Sequence, residues 1–232
     1  MNRRSIPVNE LLTRLWDFCV LNLLFLLCSL PIVTVGAALT AMHRVLLQFV
    51  RDDDVHYVKD FFAAFRQEFR QSTLLWLPLL LIGVVLAADL LYILPGLEGA
   101  MRTLFFVATL FFEVFWLLLM IYVWPLQARY ANPVHQTVKN ALLIGIWKFP
   151  QTILCAAIYL ALPLAYMLRA EAQPVVMLLS LVCGFSLTGF LADSILNRVF
   201  LDVIPGEREF QTGEALPPQA ESAADDESDA PD

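Results

Sequence analysis

The stretch LLCSLPIVTVGAALTAMHRV, residues 26–45, decides whether the chain reverses direction near its N-terminus. It is mostly apolar, but Pro31 interrupts it, and Gly36 follows a short run of Ile, Val and Thr. Proline lacks the backbone N–H that a helix interior needs, and glycine tolerates turns. We therefore predict a helix break marked by Pro31 and Gly36. One helix precedes the break, from about Asn9 to Ser29, and a second follows it over Ala37–Val50.

The composition of the whole chain is that of a membrane protein. Of its 232 residues, 59% are hydrophobic and 16% are charged, and the mean hydropathy is +0.68. A soluble domain carries about 25% charged residues, and a membrane-spanning helix needs about 20 predominantly apolar ones. The sequence therefore predicts an all-α, polytopic transmembrane helical bundle. Its four clear spans are Ser72–Ile93, Arg102–Pro125, Gln151–Leu168 and Pro174–Leu196, and residues 15–50 add a broken N-terminal membrane hairpin or a fifth span.

Two segments between the apolar runs are amphipathic. In Tyr57–Arg70, aromatic and aliphatic residues recur at helical spacing on one side, and bases line the other. This pattern is typical of a helix that lies in the membrane interface. The second segment is Gln127–Lys148, in which Asn132-Pro133 signals a helix start. We predict amphipathic interfacial helices at both places.

The basic residues orient the spans, because loops rich in Lys and Arg stay in the cytoplasm. The turns near 94–102 and 169–173 contain only Arg102 and Arg169, which makes the C-terminus cytoplasmic. A single crossing at the N-terminus would put 10 bases inside and 5 outside. A hairpin that turns back near Pro31 would put 13 inside and 2 outside, so the count favours the hairpin.

The chain divides into two parts by charge. Residues 1–205 are expected to form a single membrane-embedded domain, and residues 206–232 an acidic tail. Residues 207–232 contain nine acids and one base, with almost no large apolar side chain. Such a composition cannot bury enough surface to fold, so we expect the tail to be disordered.

No known catalytic arrangement of residues occurs in the sequence. It lacks HExxH, GxSxG and a glycine-rich phosphate loop, and its three histidines lack ligand spacing. The four cysteines lie inside apolar runs without paired metal spacing, as expected of small buried side chains. We therefore expect neither an enzyme nor a cofactor or metal site. Without the tail, bases and acids nearly balance, so there is no basic patch for nucleic acid.

Ionisable and polar residues inside the apolar runs are the sharpest candidates for function, because a charged group in a membrane is costly unless paired or hydrated. Glu113 lies near the middle of a predicted span. It is either a proton-titrating or solute site, or a neutral carboxyl that donates a hydrogen bond within the bundle. Asp193 and Asn197 lie near the cytoplasmic end of the last span, where Asp193 can pair with Arg44 as an interhelical clamp or serve a transport site. Asn22 is expected to hydrogen-bond between helices.

Four stretches of the sequence form a recognisable set of motifs: residues 22–45, 58–76 and 122–143 and the closing SILNRVF, residues 194–200. Through them the sequence resembles the YesL-like family of bacterial integral membrane proteins, a domain of unknown function. It covers roughly residues 10–202, and four motifs in order make it specific. The acidic tail departs from the family's usual compact, basic ending.

The resemblance implies a location in the bacterial plasma membrane and a role, but no site residues. Members of this family occur beside carbohydrate-uptake transporters, which implies a non-enzymatic accessory component of a carbohydrate-uptake or envelope system. The implied partner is a sugar-transporter permease or another membrane protein, with the oligomeric state left open. The alternative is an autonomous small-solute or proton-coupled carrier whose polar path includes Glu113 and Asp193.

Overall fold

The computed structural model describes residues 8–51, 56–130, 132–168, 171 and 173–203, with side chains from Arg14 onward. Within these residues the structure is helical and contains no strand. The α-helices are α1 (Val8–Cys28), α2 (Val35–Val50), α3 (Tyr57–Ala88), α4 (Gly99–Arg129), α5 (Val134–Trp147), α6 (Phe149–Leu168), α7 (Gln173–Leu179) and α8 (Phe185–Val203). The acidic tail predicted at 206–232 lies outside the described residues.

The chain turns back between α1 and α2, as the count of basic residues favoured. A bend and one 3-10 turn, Ile32–Thr34, connect the two helices. Across this turn the Thr34 hydroxyl donates to the Cys28 carbonyl at 2.6 Å. At the other end of the pair, the rings of Phe18 and Phe49 lie 5.6 Å apart. The helices are therefore antiparallel arms of a hairpin.

Gly36 lies inside α2 and not in the break where the sequence analysis placed it. The reversal is complete by Thr34, and Pro31 alone of the two predicted residues lies within it. Gly36 allows a close approach: a Cβ built there would lie 2.5 Å from Trp76 Cβ and 2.6 Å from the Ser72 carbonyl oxygen. The residue is small because α2 packs directly on the backbone of α3.

The predicted surface-lying helix at Tyr57–Arg70 is wrong. This segment continues through Gln71 and Ser72 without interruption as the first half of α3. Its apolar side packs on protein: Phe61 and Ala64 are buried in the cluster formed by α1 and α2. The apolar face predicted from the sequence is therefore covered in part: Phe61 and Ala64 are buried, whereas Phe62 and Phe69 are exposed.

Helices α3 and α4 form a long antiparallel pair. Hydrogen bonds join Gln127 to Glu68 at one end and Trp116 to the Leu79 carbonyl further along. The α1–α2 turn reaches only to the middle of α3, where Trp76 Nε1 donates to the Ile32 carbonyl at 2.7 Å. Beyond that point α3 and α4 continue as a two-helix extension, residues 77–93 and 101–114, which we call the α3–α4 projection.

Proline and π-helical turns modify the remaining helices without ending them. Pro133 caps α5, which confirms the helix start predicted at Asn132-Pro133. Pro163 lies inside α6. A π-helical segment, Ser180–Gly184, connects α7 to α8, and another follows α3 at Asp89–Ile93.

Five helical segments of the described chain are long and apolar enough to cross a membrane. They are Ile32–Val50, Tyr57–Gly96, Gly99–Arg129, Phe149–Leu168 and Gln173–Val203. Four of them contain the predicted clear spans, and the fifth is the second arm of the N-terminal hairpin. The prediction of an all-α polytopic bundle is confirmed.

Candidate functional site: a buried polar layer beside an apolar cavity

Asp193 pairs with His43 and not with Arg44. Nδ1 of His43 lies 2.8 Å and 3.0 Å from the two carboxylate oxygens of Asp193, and both residues are almost fully buried. Successive residues on an α-helix point about 100° apart, so only one of these neighbours on α2 can face α8. The prediction that Arg44 is the partner is therefore wrong. Arg44 is half-buried on the adjoining side of α2.

A glycine on α8 brings the two helices close enough for this pair. A Cβ built on Gly189 would lie 2.8 Å from Leu46 Cδ1 on α2. The backbone of α8 therefore lies directly against side chains of α2 at the level of His43. Close approach through small residues is the usual way that membrane helices pack.

Asn197 belongs to the same polar layer, four residues after Asp193 on α8. Its Oδ1 accepts a 2.6 Å hydrogen bond from Nη1 of Arg129, near the end of α4. The guanidinium of Arg129 also lies 5.4 Å from the ring centroid of Phe200. Asp193 and Asn197 therefore each join α8 to another helix, Asp193 through His43 of α2 and Asn197 through Arg129 of α4.

A second polar cluster, absent from the sequence analysis, joins α3, α4 and α5. The side-chain amide of Gln127 donates to Glu68 at 2.7 Å, and its oxygen accepts from the Thr137 hydroxyl at 3.1 Å. Gln71 donates to the Gln127 oxygen at 3.3 Å and to the Asn132 carbonyl. The signal was available in part, since Gln127 is one of few polar residues near the end of an apolar run.

Asn22 forms the interhelical hydrogen bonds that the sequence predicts. From α1 its amide nitrogen donates to the carbonyls of Ser180 and Leu181, at 3.1 and 2.8 Å. Its oxygen accepts from the backbone N–H of Ser186 at 3.1 Å. A π-helical turn disrupts the regular hydrogen-bond ladder. Asn22 supplies partners for the backbone groups there, and the prediction is confirmed.

Glu113 is separate from this polar layer. It is half-buried on α4, with no hydrogen bond or ion pair among the described residues. It lies one helical turn from Trp116 and Leu117. The structure therefore brings Asp193, Asn197 and Asn22 into contacts between helices, whereas Glu113 and Arg44 join none of them.

Helices α7 and α8, with the π-helical segment between them, form one continuous helical rod, residues 173–203, which we call the α7–α8 rod. A cavity of about 790 Å³ lies between α2, α4, α6 and the α7–α8 rod. We call it the central cavity. Its wall is mostly apolar and includes indole and phenol rings and several methionines. His43, Ser180 and Thr188 supply polar groups. His43 of the buried pair therefore lies at the cavity wall, whereas Asp193 lies behind it. The aromatic and methionine side chains of the wall are Trp116, Trp124, Tyr159, Tyr166, Phe185, Met42, Met120, Met167 and Met177.

Metal-binding geometry is not found in the described part of the chain. No group of three His, Cys, Asp or Glu side chains there could hold an ion. Cys155 is buried, and Cys19, Cys28 and Cys183 are half-buried, all as free thiols. The cysteines therefore pack as small apolar side chains in the positions where they are described.

The fold and the buried polar contacts define a polytopic α-helical membrane protein. Residues 18–90 match the family described as "Protein of unknown function, DUF624". The chain is also similar to "Uncharacterized protein YteU" of Bacillus subtilis (strain 168), with 29% identity over 144 residues. This alignment covers 62% of the chain and 64% of that relative. No solved structure matches the chain. The predicted resemblance to the YesL-like family is confirmed.

Proposed function

We propose that this protein is a non-enzymatic component of the bacterial plasma membrane, with its C-terminus in the cytoplasm, and that it acts by binding another membrane protein. In this proposal the protein is an accessory component of a carbohydrate-uptake or envelope system, and its partner is a permease. One structural observation carries the binding role: the α3–α4 projection continues past the α1–α2 turn with most of its apolar surface exposed.

The projection leaves most of its surface uncovered. Consecutive residues such as Val84 and Val85 on α3, and Phe111 and Phe112 on α4, are all more than half exposed. Only the seam between the helices is protected, where Leu79 and Leu86 are buried. Within this seam Thr109 donates a hydrogen bond to Asp89, which fixes the two helices to each other.

Exposure to lipid alone does not drive association, because acyl chains are as apolar as leucine side chains. Association in a bilayer depends on van der Waals packing between shapes that fit. A two-helix projection has open grooves on both flanks, and a third helix from a partner can lie in either. The aromatic side chains of α4 give these flanks an uneven surface, so a partner helix packs well only if its own surface has the complementary shape.

A site-specific photocrosslink in native membranes tests the proposal. The full-length tagged protein carries p-benzoyl-phenylalanine at Leu104, which is 64% exposed on the projection, or at Leu154, which is 53% exposed on α6. We expect a defined protein adduct from Leu104 and only lipid adducts from Leu154, because the two sites are similarly exposed but only one lies on the projection. A permease in the adduct would support the uptake role. Lipid adducts alone from Leu104, or a second copy of the chain, would contradict it.

An autonomous carrier is the alternative, and the central cavity with its buried His43–Asp193 pair is the observation that favours it. Proton flux in proteoliposomes loaded with a pH-sensitive dye separates the two functions. A proton-coupled carrier should lose flux in Glu113→Gln or Asp193→Asn. An accessory protein should show no flux above protein-free liposomes in the native form or in either variant.

A further inference from the structure

The central cavity has the properties of a ligand site. Small-molecule sites are clefts of about 300–1,000 Å³, mostly apolar, with a few polar groups that fix orientation. The central cavity, at about 790 Å³, has this size and character. Its aromatic rings and methionines suit a hydrocarbon or a flat ring, since both side-chain types adapt to apolar surfaces. The side chains of the cavity wall therefore indicate that most of the ligand is apolar.

His43 defines the polar part. An ionised carboxylate only accepts hydrogen bonds, so Nδ1 of His43, 2.8 Å from Asp193 Oδ2, is the nitrogen that donates. In a neutral imidazole the other nitrogen, Nε2, is then an acceptor. Nε2 has no hydrogen-bond partner among the described residues. A ligand that reaches His43 therefore needs a hydrogen-bond donor.

A hydroxyl group meets the requirement that His43 sets. In an apolar cavity the donor is an uncharged group, because burial of an unpaired charge is costly. A hydroxyl can donate one hydrogen bond to Nε2 of His43, whereas a carbonyl or an ether cannot donate. Trp124 also lines the cavity, but its Nε1 is buried and not accessible from it.

We propose that the central cavity binds one amphiphile that has a single hydroxyl group on an apolar body, such as a phenol with an alkyl chain. The hydroxyl donates to Nε2 of His43, and the apolar body lies against the aromatic and methionine wall. This site is independent of the α3–α4 projection, so it holds whether or not the proposed partner is found.

A pair of probes that differ only at the hydroxyl tests the proposal: 4-hexylphenol and 4-hexyltoluene. The full-length protein is reconstituted in nanodiscs of synthetic phosphatidylcholine, and saturable quenching or shift of tryptophan fluorescence gives the affinity of each probe. One neutral hydrogen bond is worth roughly one tenfold step in affinity. We expect the phenol to bind about tenfold more tightly than the toluene and His43→Phe to remove the difference.

A matched pair of variants keeps the test valid if His43→Phe does not fold. Thr188 lines the cavity, whereas the adjacent Leu187 does not. Thr188→Phe should narrow the central cavity and weaken saturable binding of both probes, while Leu187→Phe should bind as the native protein does. Equal affinities for the two probes, or the same affinities in Thr188→Phe and Leu187→Phe, would overturn the proposal and indicate that ordinary acyl chains occupy the cavity.

Discussion

At the residue scale, the two acidic side chains inside the apolar runs differ in what surrounds them. Asp193 is fully buried and accepts a hydrogen bond from His43, whereas Glu113 is half-buried without a partner among the described residues. Removal of one partner of a buried hydrogen bond leaves the other unsatisfied, which costs more than the bond itself contributes. The two residues should therefore respond in opposite ways to an apolar replacement.

We expect Asp193→Leu to lower the free energy of unfolding by about 1–3 kcal/mol, because the buried Nδ1–H of His43 loses its acceptor. Glu113→Met, the matched change from a carboxylate to an apolar side chain of similar size, should leave the unfolding free energy unchanged or raise it. Unfolding titrations in mixed detergent and dodecyl sulfate micelles measure both. Equal losses in the two variants would show that the Asp193 contacts contribute nothing specific.

At the element scale, two helix contacts depend on one residue each. The α2–α3 contact depends on Gly36, where an added Cβ would meet a backbone carbonyl and the Cβ of Trp76. Neither atom can move by side-chain rotation, so the helices must separate. We expect Gly36→Ala to lower the unfolding free energy by about 1–3 kcal/mol, although alanine favours helix. Gly96→Ala is the control, since nothing lies within 4 Å of its added Cβ, and it should change the same free energy by less than ~0.5 kcal/mol.

The α1 contact with the α7–α8 rod depends on Asn22, which bonds three backbone groups around the π-helical segment. Asn22→Leu leaves those groups unpaired in an apolar environment. We expect a loss of about 2–3 kcal/mol in unfolding free energy and faster hydrogen exchange at the Ser186 amide. Asn140→Leu on α5 should change neither, because Asn140 is half-buried and has no hydrogen bond among the described residues. Unchanged exchange at Ser186 in Asn22→Leu would refute the role.

The sequence predicts the membrane spans, but it does not predict which residues meet between helices. Absence of charge over about 20 residues predicts spans, because the cost of charge in lipid acts on each helix alone. The choice of His43 over Arg44 depends on how α2 is rotated against α8, and an apolar helix has no polar face to reveal that rotation. The sequence does not reveal that α3 is continuous, because its amphipathic first half has the pattern of an interfacial helix. Only the position of α2 decides whether that half packs on protein or lies in the membrane interface.

At the scale of the whole molecule, the chain ends of three helices meet on one side of the bundle. Arg14 of α1, Val50 of α2, and Asn197 and Arg198 of α8 line one small pocket. Helices α3 and α4 are joined at their other end by the turn Leu94–Gly96, far from the Gln127–Glu68 hydrogen bond. The N-terminal hairpin therefore starts and finishes on the side where the last helix ends, in agreement with the distribution of basic residues.

This arrangement predicts which positions a membrane-impermeant maleimide reaches in intact cells. Single cysteines are placed at Ser5, Glu98 and Ser222 in a chain without the four native cysteines. Glu98, beside the α3–α4 turn, should be labelled from outside. Ser5 and Ser222 should be labelled only after the membrane is opened, because 13 of the 15 bases then lie on the cytoplasmic side. Labelling of Ser5 alone from outside would mean that the α1–α2 pair does not return to its starting side. Labelling of Ser5 and Ser222 together, with Glu98 protected, would keep the hairpin but invert the protein in the membrane.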